Sequence, residues 1–464
     1  MRKFLKRTAT VIIFLLLITI FVYIWTYIPV ITGYSAKIMC SGIFVSGRNA
    51  VDIEREDLNS FPCFHIPGYV INYKDSSVTA SFLGMASKTA VYRKGLGATL
   101  INNISIGDLR KQLILQVSEP KDHPDSQPWP QGNKLSGLMP SGIDTAKLSK
   151  SVSWAFYNKD APVSPTRALV VVYKGQLIYE RYAKGFSLLT KQNGWSMAKS
   201  ITNAMMAVLV KEQKLQMNTP APVREWQQDE RKNITLANLM QLNSGLRWWG
   251  FEAAASNQTN MLFKEDDMSG YTLHQPLQSP IGKVFNYSDG SVNILQLIMR
   301  QTLGDRLYYR FPYEQLFYKI GMRNTIIEPD ASGTFTGSSN VYASARDWAR
   351  FGLLYLYDGM WNGERILPED WVKFSTKQSG AVNRHKGGRY GAGWWVNQPD
   401  INSGGKRLYD KVPEDCFYAQ GYDGQYVWVI PSKKLVVVRL AREAFTQFNP
   451  DDFLADIIGS LPNE

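Results

Sequence analysis

The hydrophobic pattern divides the chain early. Nothing from Ala9 to Ile31 is charged, and Val11 to Ile24 is almost wholly Val, Ile, Leu and Phe. A run of about 20 apolar residues matches the hydrocarbon thickness of a bilayer, whereas a signal-peptide core is usually about 7–15. The pattern therefore predicts a transmembrane anchor over 9–31. Arg2, Lys3, Lys6 and Arg7 precede it, so residues 1–8 form a cytoplasmic tail and everything after Ile31 lies outside, at the cell (inner) membrane and in the periplasm or beyond. Trp25 and Tyr27 fall at the outer end, where aromatic rings prefer the headgroup zone. The small residues around Gly33-Tyr34-Ser35 leave a cleaved signal as the alternative.

Beyond the anchor the periods change. Val78–Phe82 and Ala98–Ile101 are strand-like, with Gly95 and Gly97 marking a turn, within an extension over 32–118 that holds no catalytic motif. Residues 119–142 are rich in Pro, Gly, Ser and Asp and read as a linker or wrapping loop. Asp144 is placed to cap a helix with Leu148, Val152, Ala155 and Phe156 on one face. Ala168–Tyr173 and Gln176–Tyr182 flank a Lys174-Gly175 turn, and Tyr426–Ile430 and Leu435–Leu440 form a second hairpin. Asn449-Pro450 opens a last helix. Residues 143–464 thus predict an α+β domain: an antiparallel sheet shared by both hairpins, flanking helices and an inserted, mostly helical subdomain.

Composition changes this picture little. The 13 Trp and 24 Tyr suit a lined cleft as well as a core. The net charge of +12 includes the four basic residues of the tail and contains no basic block. Nucleic-acid binding is therefore not expected, and a basic outer domain suits an anionic membrane or wall surface. The four histidines are scattered, and no Cys-x-x-Cys or His-x-x-x-His occurs, so neither a metal nor another cofactor is expected. Cys40 and Cys63 lie where a disulfide would persist, with Cys416 left over; two free thiols is the alternative. The oligomeric state is not readable.

Ser-x-x-Lys occurs at Ser118–Lys121, Ser403–Lys406 and Ser196–Lys199. Pro120 interrupts the first and Gly404-Gly405 the second, so neither pair sits in a helix. Only Ser196-Met197-Ala198-Lys199 opens a strong helix, which puts both side chains on one face. The helix N-terminus adds partial positive charge beside Ser196. That field and burial both favour a neutral Lys199, able to accept the Ser196 proton.

Two later segments join it: Asn286-Tyr287-Ser288-Asp289-Gly290 and Gly421-Tyr422-Asp423-Gly424-Gln425, the latter leading into the final hairpin. In this order, and with the long interval between Ser196 and Tyr287, they resemble the serine β-lactamase and penicillin-binding-protein superfamily. The branch of class C β-lactamases, esterases and 6-aminohexanoate-dimer hydrolases is the most similar. Ser344 to Asp347 within Ala343–Gly352 resembles a later segment of that branch and has the sequence of a capping box; Tyr390–Trp395 reads as a strand packed under the site.

The resemblance implies acyl transfer. Ser196 is the nucleophile, with Lys199 and Tyr287 relaying its proton, and the backbone N–H groups of Ser196 and Gln425 form the oxyanion hole. Asp289, Tyr422 and Gly424 fall at substrate-binding positions. The expected substrate is a small ester or amide. The alternatives are a D-Ala-type peptidase on wall peptides and a penicillin-recognising sensor without turnover.

Asp289 stands where the family usually has Asn, and Tyr422 where it usually has a cation. Reading Ser288-Asp289-Gly290 as the second motif is the other register. Asp289 and Asp423 without a neighbouring cation would disfavour substrates ending in a carboxylate, unless Arg384 and Lys386 fold over the cleft.

Overall fold

The computed structural model describes residues 2–58, 68–112, 117, 120, 124–157, 165–250, 256–383, 389–400, 405–442 and 448–462. Helix α1 (Arg2–Phe44) is long and apolar enough to cross a membrane. Its first half exposes every side chain from Phe4 to Trp25. From Ile28 the same helix is buried, through Val30, Ala36, Ile38 and Met39. The helix therefore does not stop at Ile31, where the apolar run ends. Tertiary contact carries it on: Gly33 lets it approach the Phe263 carbonyl so closely that a Cβ there would stand 3.0 Å from the oxygen.

Four strands pack along this buried half: β1 (Gly68–Asn72), β2 (Ser77–Phe82), β3 (Met85–Arg93) and β4 (Gly97–Ile101), antiparallel in that order. Strand β3 separates the two strands legible in the sequence, and the turn at Gly95 joins β3 to β4. Lys88, Thr89 and Arg93 blur its alternation; Lys88 bonds to Asn102 and Arg93 is buried against the Leu109 carbonyl and Thr99. Cys40 is buried in α1. Cys63, the other half of the expected disulfide, lies outside the described residues, as do Ser118, Lys121, Arg384, Lys386 and Ser403.

The second body begins at α2 (Thr145–Phe156), where Asp144 accepts the Lys147 N–H at 2.9 Å as the sequence predicts. It continues through β5 (Thr166–Tyr173), β6 (Gln176–Tyr182), α3 (Ala198–Lys211), α4 (Asn257–Lys264), α5 (Asp289–Leu303) and α6 (Ala345–Leu356). Short strands β7 (Arg389–Tyr390) and β8 (Trp395–Val396) follow, then β9 (Phe417–Gly421), β10 (Gln425–Ile430), β11 (Leu435–Ala441) and α7 (Pro450–Ile458). The sheet order is β7-β8-β9-β10-β11-β5-β6, antiparallel throughout, so both predicted hairpins share it.

Period-2 alternation sends one face of this sheet to each of two cores. Val170, Val172, Val427 and Val436 join α3 and α6, while Leu169, Val171, Trp428 and Val437 join α2 and α7. That is why β5 and β11 are buried along their whole length. At α6, Ser344 accepts the Asp347 N–H at 3.2 Å, but Asp347 does not complete the capping box. Its carboxylate instead accepts from Asn324, Thr325 and Arg350.

The two bodies are joined by buried charge. Lys37 of α1 pairs with Glu328, which also accepts from Ser41 at 3.0 Å and the Ala98 N–H at 2.7 Å. Both members are almost wholly buried.

Candidate active site

Helix α3 is buried from Ala198 to Leu209, so each polar side chain on it must find a partner inside the protein. Ser200 donates to the Gly393 carbonyl at 2.6 Å and Thr202 to the Gly337 carbonyl at 2.9 Å. Asn203 donates to the Ala392 carbonyl and accepts from Trp371. Lys199 is the remaining case, and its partners define the site.

Ser196 lies in a tight turn, Trp195–Met197, that runs directly into α3. Trp195 sits in the left-handed region at φ +48°, an unusual conformation for a bulky residue. Two glycines let the surroundings close on this turn. A Cβ on Gly194 would stand 2.3 Å from the Trp348 ring, and one on Gly421 would stand 2.0 Å from the Gly194 carbonyl oxygen. The end of β9 is thereby pressed against the nucleophile turn.

Lys199 Nζ donates to Ser196 Oγ at 3.0 Å and to the Ser338 carbonyl at 3.0 Å, and pairs with Asp289 Oδ1 at 2.6 Å. Lys199 and Asp289 are each only 1 % exposed. Gln258 of α4 and Ser339 donate to the other carboxylate oxygen at 2.8 and 2.9 Å. Burial by itself would strip the proton from Lys199. The Asp289 carboxylate and the Tyr287 phenol outweigh it, and the ammonium is held above the ordinary lysine range. This corrects the expectation of a neutral Lys199: the partner that decides its charge is remote in sequence.

Tyr287 presents its ring to that ammonium, with Nζ 4.7 Å from the ring centroid. The ring stacks on Trp395 at 5.5 Å and meets Tyr390 edge-on at 6.0 Å. These rings come from β7 and β8, two short strands joined by a tight turn rather than the single strand expected over 390–395. Ser196, Lys199 and Tyr287 are therefore brought together.

The other expected positions divide. Asp289 is buried and Lys199 balances its charge, so it brings no unpaired charge to the case against carboxylate substrates. Tyr422 sits beside the nucleophile turn, its ring edge-on to Trp195 at 5.5 Å. Asp423 and Gly424 form the turn after β9, with φ of +68° and +83°, and Asp423 lines a small cavity together with Arg167. Gln425 begins β10, which lies between β9 and β11. Its backbone pairs with Gly421, and its side chain is bound to both backbone groups of Ala441. The end of β9 and the start of β10 both approach the Ser196 turn.

Several contributors carry no motif. Gln258, Ser338 and Ser339 reach the Lys199–Asp289 pair from separate loops and helices. Tyr34 of α1 stacks on Trp195 at 6.2 Å, so the N-terminal helix forms part of the wall behind the nucleophile. A Ser256–Thr259 capping box foretells the start of α4 but not where Gln258 points.

Comparison with known proteins bears on the family and the fold. The sequence profile of the β-lactamase family matches residues 160–458. A curated but uncharacterized protein of Alkalihalophilus pseudofirmus is 25% identical over 197 residues, 38% of this chain and 57% of the relative, so the match spans little more than half of its length. A Bacillus anthracis protein assigned as a 6-aminohexanoate-dimer hydrolase superimposes with TM-score 0.58 at 23% identity, covering 75% of this chain and 92% of that one. A family VIII carboxylesterase gives 0.54 at 15% identity, over 70% and 98% of the two chains. A penicillin-binding-protein homolog from Caulobacter crescentus gives 0.53 at 16%, over 71% and 100%. These structures share the fold.

Proposed function

The chain belongs to the β-lactamase family, and from that premise we propose that it is a serine hydrolase cleaving a small ester or amide through an acyl-enzyme on Ser196. The observation that carries this reading is the Lys199 ammonium 3.0 Å from Ser196 Oγ, paired in turn with buried Asp289. A lysine so held does not take the Ser196 proton. Its charge stabilises the developing alkoxide, and Tyr287, set against the same ammonium, relays the proton, its hydroxyl taking it from Ser196 as it gives its own to the leaving group. Ser196 Oγ bonds to the carbonyl carbon, the alcohol or amine departs with the proton, and water then releases the acid. The oxyanion donors in this reading are the Ser196 N–H and the N–H of Tyr422 at the end of β9, in place of Gln425.

The exposed half of α1 serves as an uncleaved anchor, with the basic N-terminus cytoplasmic and the hydrolase outside. Cleavage near Ala36 would cut α1 within the domain's own core, since Ile28, Val30 and Ile31 are buried there. That burial supports the anchor over the signal.

Fluorophosphonate labelling with mass mapping tests the nucleophile. The adduct should fall on Ser196, and Ser196→Ala should lose both label and turnover, by about 10⁴-fold or more in kcat. Persistent labelling of the variant would sink the assignment. The anchor is tested by a carbonate wash: the protein should stay in membranes with residues 1–35 intact by mass.

A further inference from the structure

The N-terminal sheet is a strut laid along α1, and its two ends meet different surroundings. At one end Phe44 stacks on Tyr92 at 5.7 Å and meets Tyr73 at 6.0 Å. At the other, Thr32 Oγ1 donates to the Ala86 carbonyl at 2.8 Å. The strands thus run beside the helix, and the β2–β3 turn, Phe82–Met85, points back toward the exposed apolar half of α1. At 1.5 Å per residue, Thr32 stands about 10 Å above Trp25 along the helix. The turn projects roughly 5 Å past Ala86. Its tip therefore comes within about one helical turn of the level at which α1 passes from exposed to buried.

The tip is apolar and outward. Leu83 is 79% exposed and Met85 45%. Leu83 also holds φ +48°, followed by Gly84 at +77°, a pair of left-handed positions that favour Asn-Gly or Asp-Gly. A turn serving only to reverse the chain gains nothing from a leucine there. An apolar side chain kept in a disfavoured conformation, beside the stretch of α1 suited to lipid, fits burial in that same lipid surface.

The catalytic site lies at nearly the same height. Tyr34, two residues beyond Thr32, stacks on Trp195, and Tyr422 meets the same ring edge-on. The flank of Ser196 is thereby about 13 Å above Trp25 along the helix. Without the four basic residues of the tail the rest of the chain carries a net charge of +8, which favours an anionic surface.

Resting on the reading of an anchored hydrolase, we propose that the β2–β3 turn enters the headgroup layer beside α1 and holds Ser196 over the membrane surface, and that the substrate is an ester or amide carried by an amphiphile in that leaflet. Such a substrate keeps its chain in the lipid while its carbonyl reaches the site.

The test uses the full-length protein in phosphatidylcholine–phosphatidylglycerol vesicles with two fluorogenic esters, a short water-soluble one and a long-chain one that partitions into the bilayer. Two alterations are compared with the parent: Leu83→Asp with Met85→Asp, and a seven-residue helical insertion after Trp25 that lifts the domain by about 10 Å. Both should leave the soluble ester within about twofold and cost about tenfold on the bilayer ester. The proposal is overturned if the parent shows no gain with the bilayer ester, or if the alterations lower both rates alike or neither. Absence of turnover on the soluble ester, together with absence of fluorophosphonate labelling, would instead remove the hydrolase reading beneath it.

Discussion

Lys37 and Lys199 are both buried against a carboxylate, and the two pairs do different things. The Lys37–Glu328 pair is closed: Lys37 donates to the Ala98 carbonyl at 2.7 Å, and Glu328 takes the Ala98 N–H and the Ser41 hydroxyl. Its partners are backbone or inert side chain, and it locks α1 and β4 onto the hydrolase body. In the Lys199–Asp289 pair the carboxylate is equally well held, by Gln258 and Ser339. Each lysine also reaches a serine hydroxyl, but Ser41 is buried and gives its proton to Glu328, whereas Ser196 is half-buried at the turn into α3. Burial and pairing alone do not mark a reactive site; the third group does. Burial lifts the Glu328 carboxyl above its usual range despite Lys37, whereas at the site it is the ammonium that is lifted.

Substitutions can sharpen this contrast. Tyr287→Phe keeps the ring against Lys199 but removes the proton acceptor, and should lower kcat/KM for a soluble ester by about 10²–10⁴-fold. Near-parental turnover would take Tyr287 out of the mechanism. Asp289→Asn keeps the size of the side chain and removes the charge, with an NH2 in place of one of the two accepting oxygens. With Asp289 present, the folded-state value of Lys199 is raised, so its charge is complete below the ordinary lysine value and lost only as pH climbs past the raised one. The parent's pH–rate profile should therefore show no step from Lys199 between about pH 6 and 9. In Asp289→Asn, burial is left to push the proton off, so the step should move down in pH. Above the displaced step each pH unit is a tenfold loss of the charged fraction, so kcat/KM should fall by about tenfold per unit there, where the parent is still flat. An unchanged profile would show that Asp289 does not control Lys199.

Glu328→Gln should have the least effect on turnover, within about twofold for a soluble ester, because the closed pair is independent of the reacting groups. Its cost is in stability, about 3–5 kcal/mol, since Lys37 is left buried without its counter-charge. Denaturant unfolding of both variants separates the two pairs. If Glu328→Gln loses activity while keeping stability, the contrast collapses.

Local signals were legible in the sequence and held. The Lys174-Gly175 and Pro431–Lys434 turns, the caps at Asp144 and Asn449, and the Ser196–Lys199 helix start all depend on residues within a few positions of one another. The misses share the opposite property. The continuation of α1 past Ile31 depends on Phe263 and the strands of the extension. Strand β3 hides its alternation because Lys88 and Arg93 find partners from elsewhere in the fold.

By itself the sequence determined the apolar run and its basic flank, the hairpins, and the order Ser196, Lys199, Tyr287 that points to acyl transfer. The apolar run and the hairpins follow from periodicity and turn chemistry along one segment at a time, while acyl transfer is what the resemblance of those motifs to the β-lactamase family implies. Only the tertiary structure decided that Lys199 is paired with a buried carboxylate, that Asp289 supplies it, and that α1 packs against Trp195. The charge of a buried group and the burial of a helix face are set by what the fold brings within a few ångströms. Asp289, Gln258 and Tyr34 arrive there from distant parts of the chain.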